Sequence, residues 1–303
     1  MKKILIAVIA MMLFSLDVQA AEQSWEFESS SISDRKKHII LDMDFCTDVD
    51  DACALRMAAQ MDKRGEIVLE AVTLSTCDSM TGEGLNIRAV DGMLDYVGIG
   101  VPIGESSIYI PDESSYWGIL ASYSDGSMEV FDAADLWKQK IDECKERGTD
   151  LTIVTTGYLT NIKAFVDKYG TELLKDCTFF IVGGTNGVGT DNNFSYCEEA
   201  RIASDFAAKN IVGDDNVFWI TNDVGAPLLC GGSLMKNNPD DPVSKSLMAF
   251  QESLGIDVTC GRAAWDPVGV YLAANYFIDD SLEGFVELPR CRASRILVEF
   301  LEI

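Results

Sequence analysis

Asp42-Met43-Asp44-Phe45-Cys46-Thr47-Asp48-Val49-Asp50-Asp51-Ala52 decides the reading of this chain. The apolar run His38–Met43 reads as a buried strand, and the Ala-rich stretch Asp51–Met61 reads as a helix. Five carboxylates fall within ten residues where the strand ends and the helix opens. Aspartate is favoured at helix N-caps and in first turns, which accounts for one or two of them. It does not account for five, because anions crowded at a strand end cost several kcal/mol unless a cation neutralises them. The donors are all oxygens, so the expected cation is hard, Ca²⁺ or Mg²⁺.

Outward from this segment the chain alternates between the two periodicities. Strands are predicted at Ile67–Leu74, Leu151–Thr155, Phe179–Val182 and Val217–Thr221. Helices are predicted at Leu85–Tyr96, Ala133–Arg147, Asn161–Lys168, Glu198–Lys209 and Pro267–Asn275, with a last strand or helix at Arg295–Leu301. Short apolar strands alternating with helices give an α/β fold: a doubly wound, mostly parallel sheet with helices on both faces. In such a fold ligands bind beyond the carboxyl ends of the strands.

Composition narrows the function. Of 303 residues 48% are hydrophobic, which excludes a collagen-like or wholly disordered chain. Lys+Arg less Asp+Glu is 24 − 49 = −25, so nucleic acid and anionic membrane surfaces are not expected partners. Lys2-Lys3, the apolar run Ile4–Phe14 and Val18-Gln19-Ala20 form a secretory signal peptide, residues 1–20, cut after Ala20. That run is too short to span a bilayer. The expected location is therefore exported, periplasmic or extracellular. The Ser-rich stretch 21–36 is expected to be a flexible linker before one domain over 37–303.

The nine cysteines are scattered with no C-x-x-C, so most are expected to be small buried hydrophobes rather than a disulfide frame. His38 is the single histidine and lies in an apolar run, where a core or edge-strand place is expected. That excludes His-ligated zinc and any Ser-His-Asp or Cys-His mechanism.

Three carboxylate patterns compete for residues 42–52. An EF-hand loop needs Gly where Thr47 stands and Glu where Cys53 stands, and fails. A phosphatase of the haloacid dehalogenase type also starts with a strand ending in D-x-D. It does not need the second pair Asp50-Asp51, and no distal lysine arrangement supports it. The third pattern is a strand, D-x-D, a short turn, then D-D-A opening a helix. The segment resembles the aspartate cluster of the inosine/uridine-preferring nucleoside hydrolases, in a variant whose turn is two residues longer. Other segments agree. Thr155-Thr156-Gly157-Tyr158-Leu159-Thr160-Asn161 resembles the family's T-G-P-L-T-N, and Ile181-Val182-Gly183-Gly184 its M-G-G. Asp191-Asn192-Asn193-Phe194 with Glu199-Ala200 resembles its ribose-binding segment, and Trp265-Asp266-Pro267 its late H-D-P.

The resemblance implies an enzyme that cleaves the N-glycosidic bond of a small-molecule riboside, with Ca²⁺ at the pocket floor. It implies Asp44, Asp51 and Asp266 as side-chain ligands, Thr156 as a carbonyl ligand, and Asp44 as general base. Asp50, Asp191 and Asn193 would bind the ribose, with Val182 packed against it and Asp78 a further ribose contact. Asp42 and Asp48 are expected to orient the ligands or cap the helix. Trp265 stands where many members have His. It either stacks on the leaving group, favouring activated ribosides over inosine and uridine, or is core packing at a helix start. A homo-oligomer, dimer or tetramer, is expected. The competing class is a non-catalytic ribose- or nucleoside-binding protein on the same scaffold.

Overall fold

The computed structural model describes residues 36–45, 48–77, 84–110, 114–184, 191–211 and 216–275. The expected signal peptide, nearly all of the expected linker, Asp78 and the element predicted at Arg295–Leu301 lie outside the described residues.

The first half builds one wing of a sheet: β1 (Lys37–Met43), α1 (Asp50–Lys63), β2 (Ile67–Leu74), α2 (Leu85–Val97), β3 (Ile103–Glu105), α3 (Trp117–Ala121), β4 (Val130–Asp132) and α4 (Ala133–Arg147). The second wing follows: β5 (Leu151–Thr155), α5 (Thr160–Tyr169), β6 (Cys177–Val182), α6 (Asn192–Ser195), α7 (Glu198–Asn210) and β7 (Val217–Ile220). Then come α8 (Asn222–Gly225), β8 (Leu229–Cys230), α9 (Gly232–Asn237), α10 (Pro242–Leu254), β9 (Arg262–Ala263) and α11 (Trp265–Asn275). The strand order is β4-β3-β2-β1-β5-β6-β7, and every pairing in this seven-stranded sheet is parallel.

The sheet is doubly wound, as the alternation predicts. On β1, Ile39, Leu41 and Met43 join the apolar layer that includes Leu55 and Ala58 of α1. Ile40 joins the opposite layer with Trp137 of α4 and Ile162 and Phe165 of α5. Side chains alternating between two helix-covered faces make a central strand apolar along nearly its whole length. Each fully buried Ile or Leu contributes roughly 1.5–3 kcal/mol.

The chain winds outward from β1 to β4, then returns to β5 on the other side of β1. That reversal opens a crevice at the carboxyl ends of β1 and β5, where the neighbours Asp42 and Thr155 are paired. Asn161 closes the junction behind it: its Nδ2 donates to Asp42 Oδ1 at 2.7 Å and to the Leu74 carbonyl at 2.9 Å. One side chain thus ties together the ends of β1 and β2 and the start of α5.

The structure differs from the sequence expectation in several places. Strands β3 and β4 have three residues each, too short for an alternation to be visible. Strands β8 and β9 pair antiparallel over two residues, and α10, which lies between them in the chain, has no counterpart among the predicted elements. Helix α11 begins at Trp265, two residues before Pro267, so Asp266 lies in its first turn. His38 is on the central strand, with Nδ1 2.6 Å from Glu70 Oε1, at the end opposite the crevice. Cys53, Cys77, Cys144, Cys177 and Cys230 are buried free thiols, in line with the packing role expected of them. Among the described residues no helix is long and apolar enough to cross a membrane.

Candidate active site

A cavity of about 380 Å³ opens in the crevice. Its lining brings together Asp44, Asp50, Asp51, Thr156, Val182, Asp191, Asn193, Trp265 and Asp266. These residues come from five separate chain segments, each at or just past the end of a strand or opening a helix. Every predicted site residue that is described therefore lines one cavity; Asp78 lies outside the described residues.

The floor is the carboxylate turn. Asp44 leaves β1, and Phe45 follows with φ of 51°, a left-handed conformation that costs a non-glycine residue of order 1–2 kcal/mol. Packing holds it there: the Phe45 ring meets Tyr116 edge-on at 5.6 Å, and its carbonyl accepts from Trp117 Nε1. Asp50 and Asp51 occupy the first turn of α1, and Asp50 Oδ2 accepts the backbone N–H of Asp266 at 3.1 Å. The openings of α1 and α11 thus converge on one point.

Burial, and after it the charge of neighbouring carboxylates, pushes Asp50, Asp51 and Asp266 well above the usual carboxylate range. Asp51 is raised chiefly by burial, then by Asp266, Asp44 and Asp50. Its Oδ1 is buried with no hydrogen-bond partner. A crowd of carboxyls with an orphaned oxygen is the environment a hard cation resolves, and the donors are all oxygen. The residues present therefore fit a divalent metal. Asp44, at 9% exposure against 2% for Asp51, is the floor carboxyl most open to the cavity.

Asp191 and Asn193 are positioned by their own hydrogen bonds. Asp191 caps α6, its Oδ1 accepting from Asn193 N at 2.9 Å and its Oδ2 from Asn222 Nδ2 at 2.7 Å. Asn193 Nδ2 donates to the carbonyls of Thr156 at 2.8 Å and Val182 at 3.1 Å. Those bonds leave its side-chain oxygen for a ligand hydroxyl, and one lone pair on the Thr156 carbonyl for a cation. Gly183 makes the close approach possible: a Cβ there would stand 2.7 Å from the Phe194 ring, and its φ of 142° disfavours any side chain.

Asp42 lies behind the cavity rather than in it. It is fully buried, accepts from Thr73 and Asn161, and burial raises its pKa to about 7. Asp48 belongs to the wall. Its carboxylate accepts Arg262 Nε at 2.9 Å and Nη2 at 2.6 Å. Arg262 also lies over the rings of Trp265, at 4.9 Å, and Phe250, at 5.3 Å. Arg262 is a lining residue that the sequence reading missed. Its signal was that no other Lys or Arg stands between Lys245 and Arg290, while the lengthened turn places an extra aspartate in need of a counter-charge.

Trp265 is part of the cavity wall and is also held from behind. It lines the cavity, yet its indole Nε1–H donates to the Asn222 carbonyl at 3.0 Å and Gly225 packs against its backbone. Tyr158 and Tyr196 also line the cavity, whereas Tyr271, Trp219 and Asp223 are not among its lining residues.

The family model described as inosine-uridine preferring nucleoside hydrolase matches residues 39–275, which carry the whole of this cavity. The chain belongs to that family. It is accordingly an N-glycosidic hydrolase by family, and the family is metal-dependent. No curated protein is significantly similar in sequence. Among solved structures, the type III effector protein XopQ complexed with adenosine diphosphate ribose has a TM-score of 0.63 at 13% identity, over 89% of this chain and 94% of that one. The plant nucleoside hydrolase PpNRh1 has 0.57 at 19% identity, over 79% of each chain. The nucleoside hydrolase of Bacillus anthracis has 0.55 at 12%, over 78% of this chain and 82% of that one. At these identities the likeness is one of fold.

Proposed function

We propose that this chain is an exported, calcium-dependent hydrolase of ribonucleosides or related ribosides, releasing ribose and the free base. The observation that carries the reading is the orphaned, buried Asp51 Oδ1 amid carboxyls that repel one another at the floor of the cavity. Asp44, Asp51 and Asp266 would hold the ion with the Thr156 carbonyl. A divalent cation there supplies charge neutralisation and makes nearby water more acidic.

The remaining chemistry belongs to the chain. Asp44, the most open floor carboxyl, takes the proton of the attacking water. Asp191 and Asn193 orient the ribose hydroxyls, and the carboxylates of Asp50 and Asp191 stabilise the positive charge that develops on the sugar. Val182, at the end of β6, packs beneath the ring. Export rests on the leader pattern of residues 1–20.

Binding without turnover is the second reading, favoured by the indole at position 265, whose N–H is already spent on Asn222. Incubation of the mature chain with a ribonucleoside panel and p-nitrophenyl riboside separates the two. Free ribose, abolished by chelator and restored by Ca²⁺, supports the hydrolase. Saturable binding with no ribose released would establish the second reading.

A further inference from the structure

Asn222 is the first residue of α8, just past β7, and it lines the cavity. Its main chain is held firmly. The N–H donates to the Gly184 carbonyl at 2.8 Å, and the carbonyl accepts from Ala226 N at 2.9 Å and from Trp265 Nε1 at 3.0 Å. None of these three bonds uses the side chain. The side-chain amide makes a bond of its own: Nδ2 donates to Asp191 Oδ2 at 2.7 Å.

Asp191 comes from a different segment, where it is the N-cap of α6, and its other oxygen accepts from Asn193 N at 2.9 Å. A carboxylate gripped on one oxygen alone still turns about its Cβ–Cγ bond, a soft torsion. Gripped on both oxygens by donors from two segments, it is held in one plane, and each oxygen keeps a lone pair for a further donor. The choice of an amide matters as well. Asn222 is neutral, so it orients the carboxylate without cancelling its charge, which a sugar gaining positive charge requires. Asp48 shows the alternative: its charge is taken up by the bidentate Arg262. We propose, resting on the riboside-hydrolase reading of this site, that Asn222 is a positioning residue for the sugar. It locks the Asp191 carboxylate in the plane that accepts a ribose hydroxyl, and so makes cleavage depend on that hydroxyl. Asn222 acts through Asp191.

The experiment uses the Ca²⁺-loaded chain from residue 21 onward, unaltered and as Asn222→Leu and Asn222→Ala. Leucine matches asparagine in size without its donor; alanine removes the donor without adding apolar bulk. The substrates are p-nitrophenyl riboside and its 2′-, 3′- and 5′-deoxy analogues, with kcat and KM read from p-nitrophenol release and folding from the thermal melt. On the full riboside kcat/KM should fall about 10–10²-fold, the range for one hydrogen bond to a charged group. On the analogue without the hydroxyl that Asp191 accepts, the fall should shrink to a few-fold at most, because the contact being misplaced is already gone. A merely structural role would lower the rate on all four substrates alike. An equal fall on all four, an unchanged kcat/KM on the full riboside, or failure of both variants to fold overturns the proposal and leaves the hydrolase reading standing. If the unaltered chain cleaves none of the four, both fall.

Discussion

Gly157 stands where β5 hands over to α5, pressed against the start of the carboxylate turn. A Cβ at this position would lie 2.3 Å from the Asp44 backbone N, 2.6 Å from Ser75 Oγ and 2.7 Å from Asp44 Cβ. Ordinary van der Waals contact begins at 3.4 Å, so Gly157→Ala requires 3.4 − 2.3 = 1.1 Å of movement. The nearest atom is backbone at the end of the central strand and cannot swing away. Overpacking of this kind costs about 1–3 kcal/mol, and the upper end applies here. A loss near 3 kcal/mol lowers the Tm of a domain this size by roughly 6–12 °C. Displacing Asp44 by about 1 Å should also cost on the order of 10²-fold in turnover. Thermal melts and ribose release, measured on the same preparation, test both. Gly118→Ala is the control: a Cβ there meets nothing within 4 Å, and the exposed helical site gains in propensity. A Gly157→Ala protein with unchanged Tm and turnover would refute the claim that the β5 turn sets the position of Asp44.

Other outcomes follow from the same geometry. Asp44→Asn keeps an oxygen but loses the base, so turnover should fall at least ~10²-fold while the fold survives; near-normal turnover would remove Asp44 from that role. Ca²⁺ at a hundred times its Kd should stabilise the chain by about 2.7 kcal/mol, seen as a rise in Tm that chelator reverses. Asp42 has a folded pKa of about 7 against an ordinary 3.8, so its contribution to stability is complete below about pH 4 and is lost as pH rises through 7. Asp42→Asn, which cannot ionise, should flatten that part of the Tm–pH profile; a slope identical to that of the unaltered chain would contradict the assignment.

The legible part of the fold was the part with local periodicity. Strands β1, β2, β5, β6 and β7 are apolar runs of four or more residues next to amphipathic helices. The aspartate turn marked the switch point because so many like charges cannot be stable without a shared purpose. Strands β3 and β4 were hidden because three residues carry no period, and their places are set by neighbours, β3 pairing with β2 and β4 with β3. Arg262 was hidden for a different reason: its partners Asp48, Phe250 and Trp265 are brought to it by tertiary packing alone. The anchoring of the Trp265 indole was likewise beyond the sequence, since the Asn222 carbonyl that takes its N–H lies on another element.

Riboside cleavage should depend on a divalent cation held by the carboxylate floor. The most direct measurement is the rate of ribose release from p-nitrophenyl riboside and uridine by the chain from residue 21 onward, before chelation, after chelation, and after titration with Ca²⁺. Cleavage should stop on chelation and return with about one Ca²⁺ per chain, and Asp51→Ala should lose this Ca²⁺ response. Cleavage indifferent to chelator, or full Ca²⁺ dependence retained in Asp51→Ala, would contradict it.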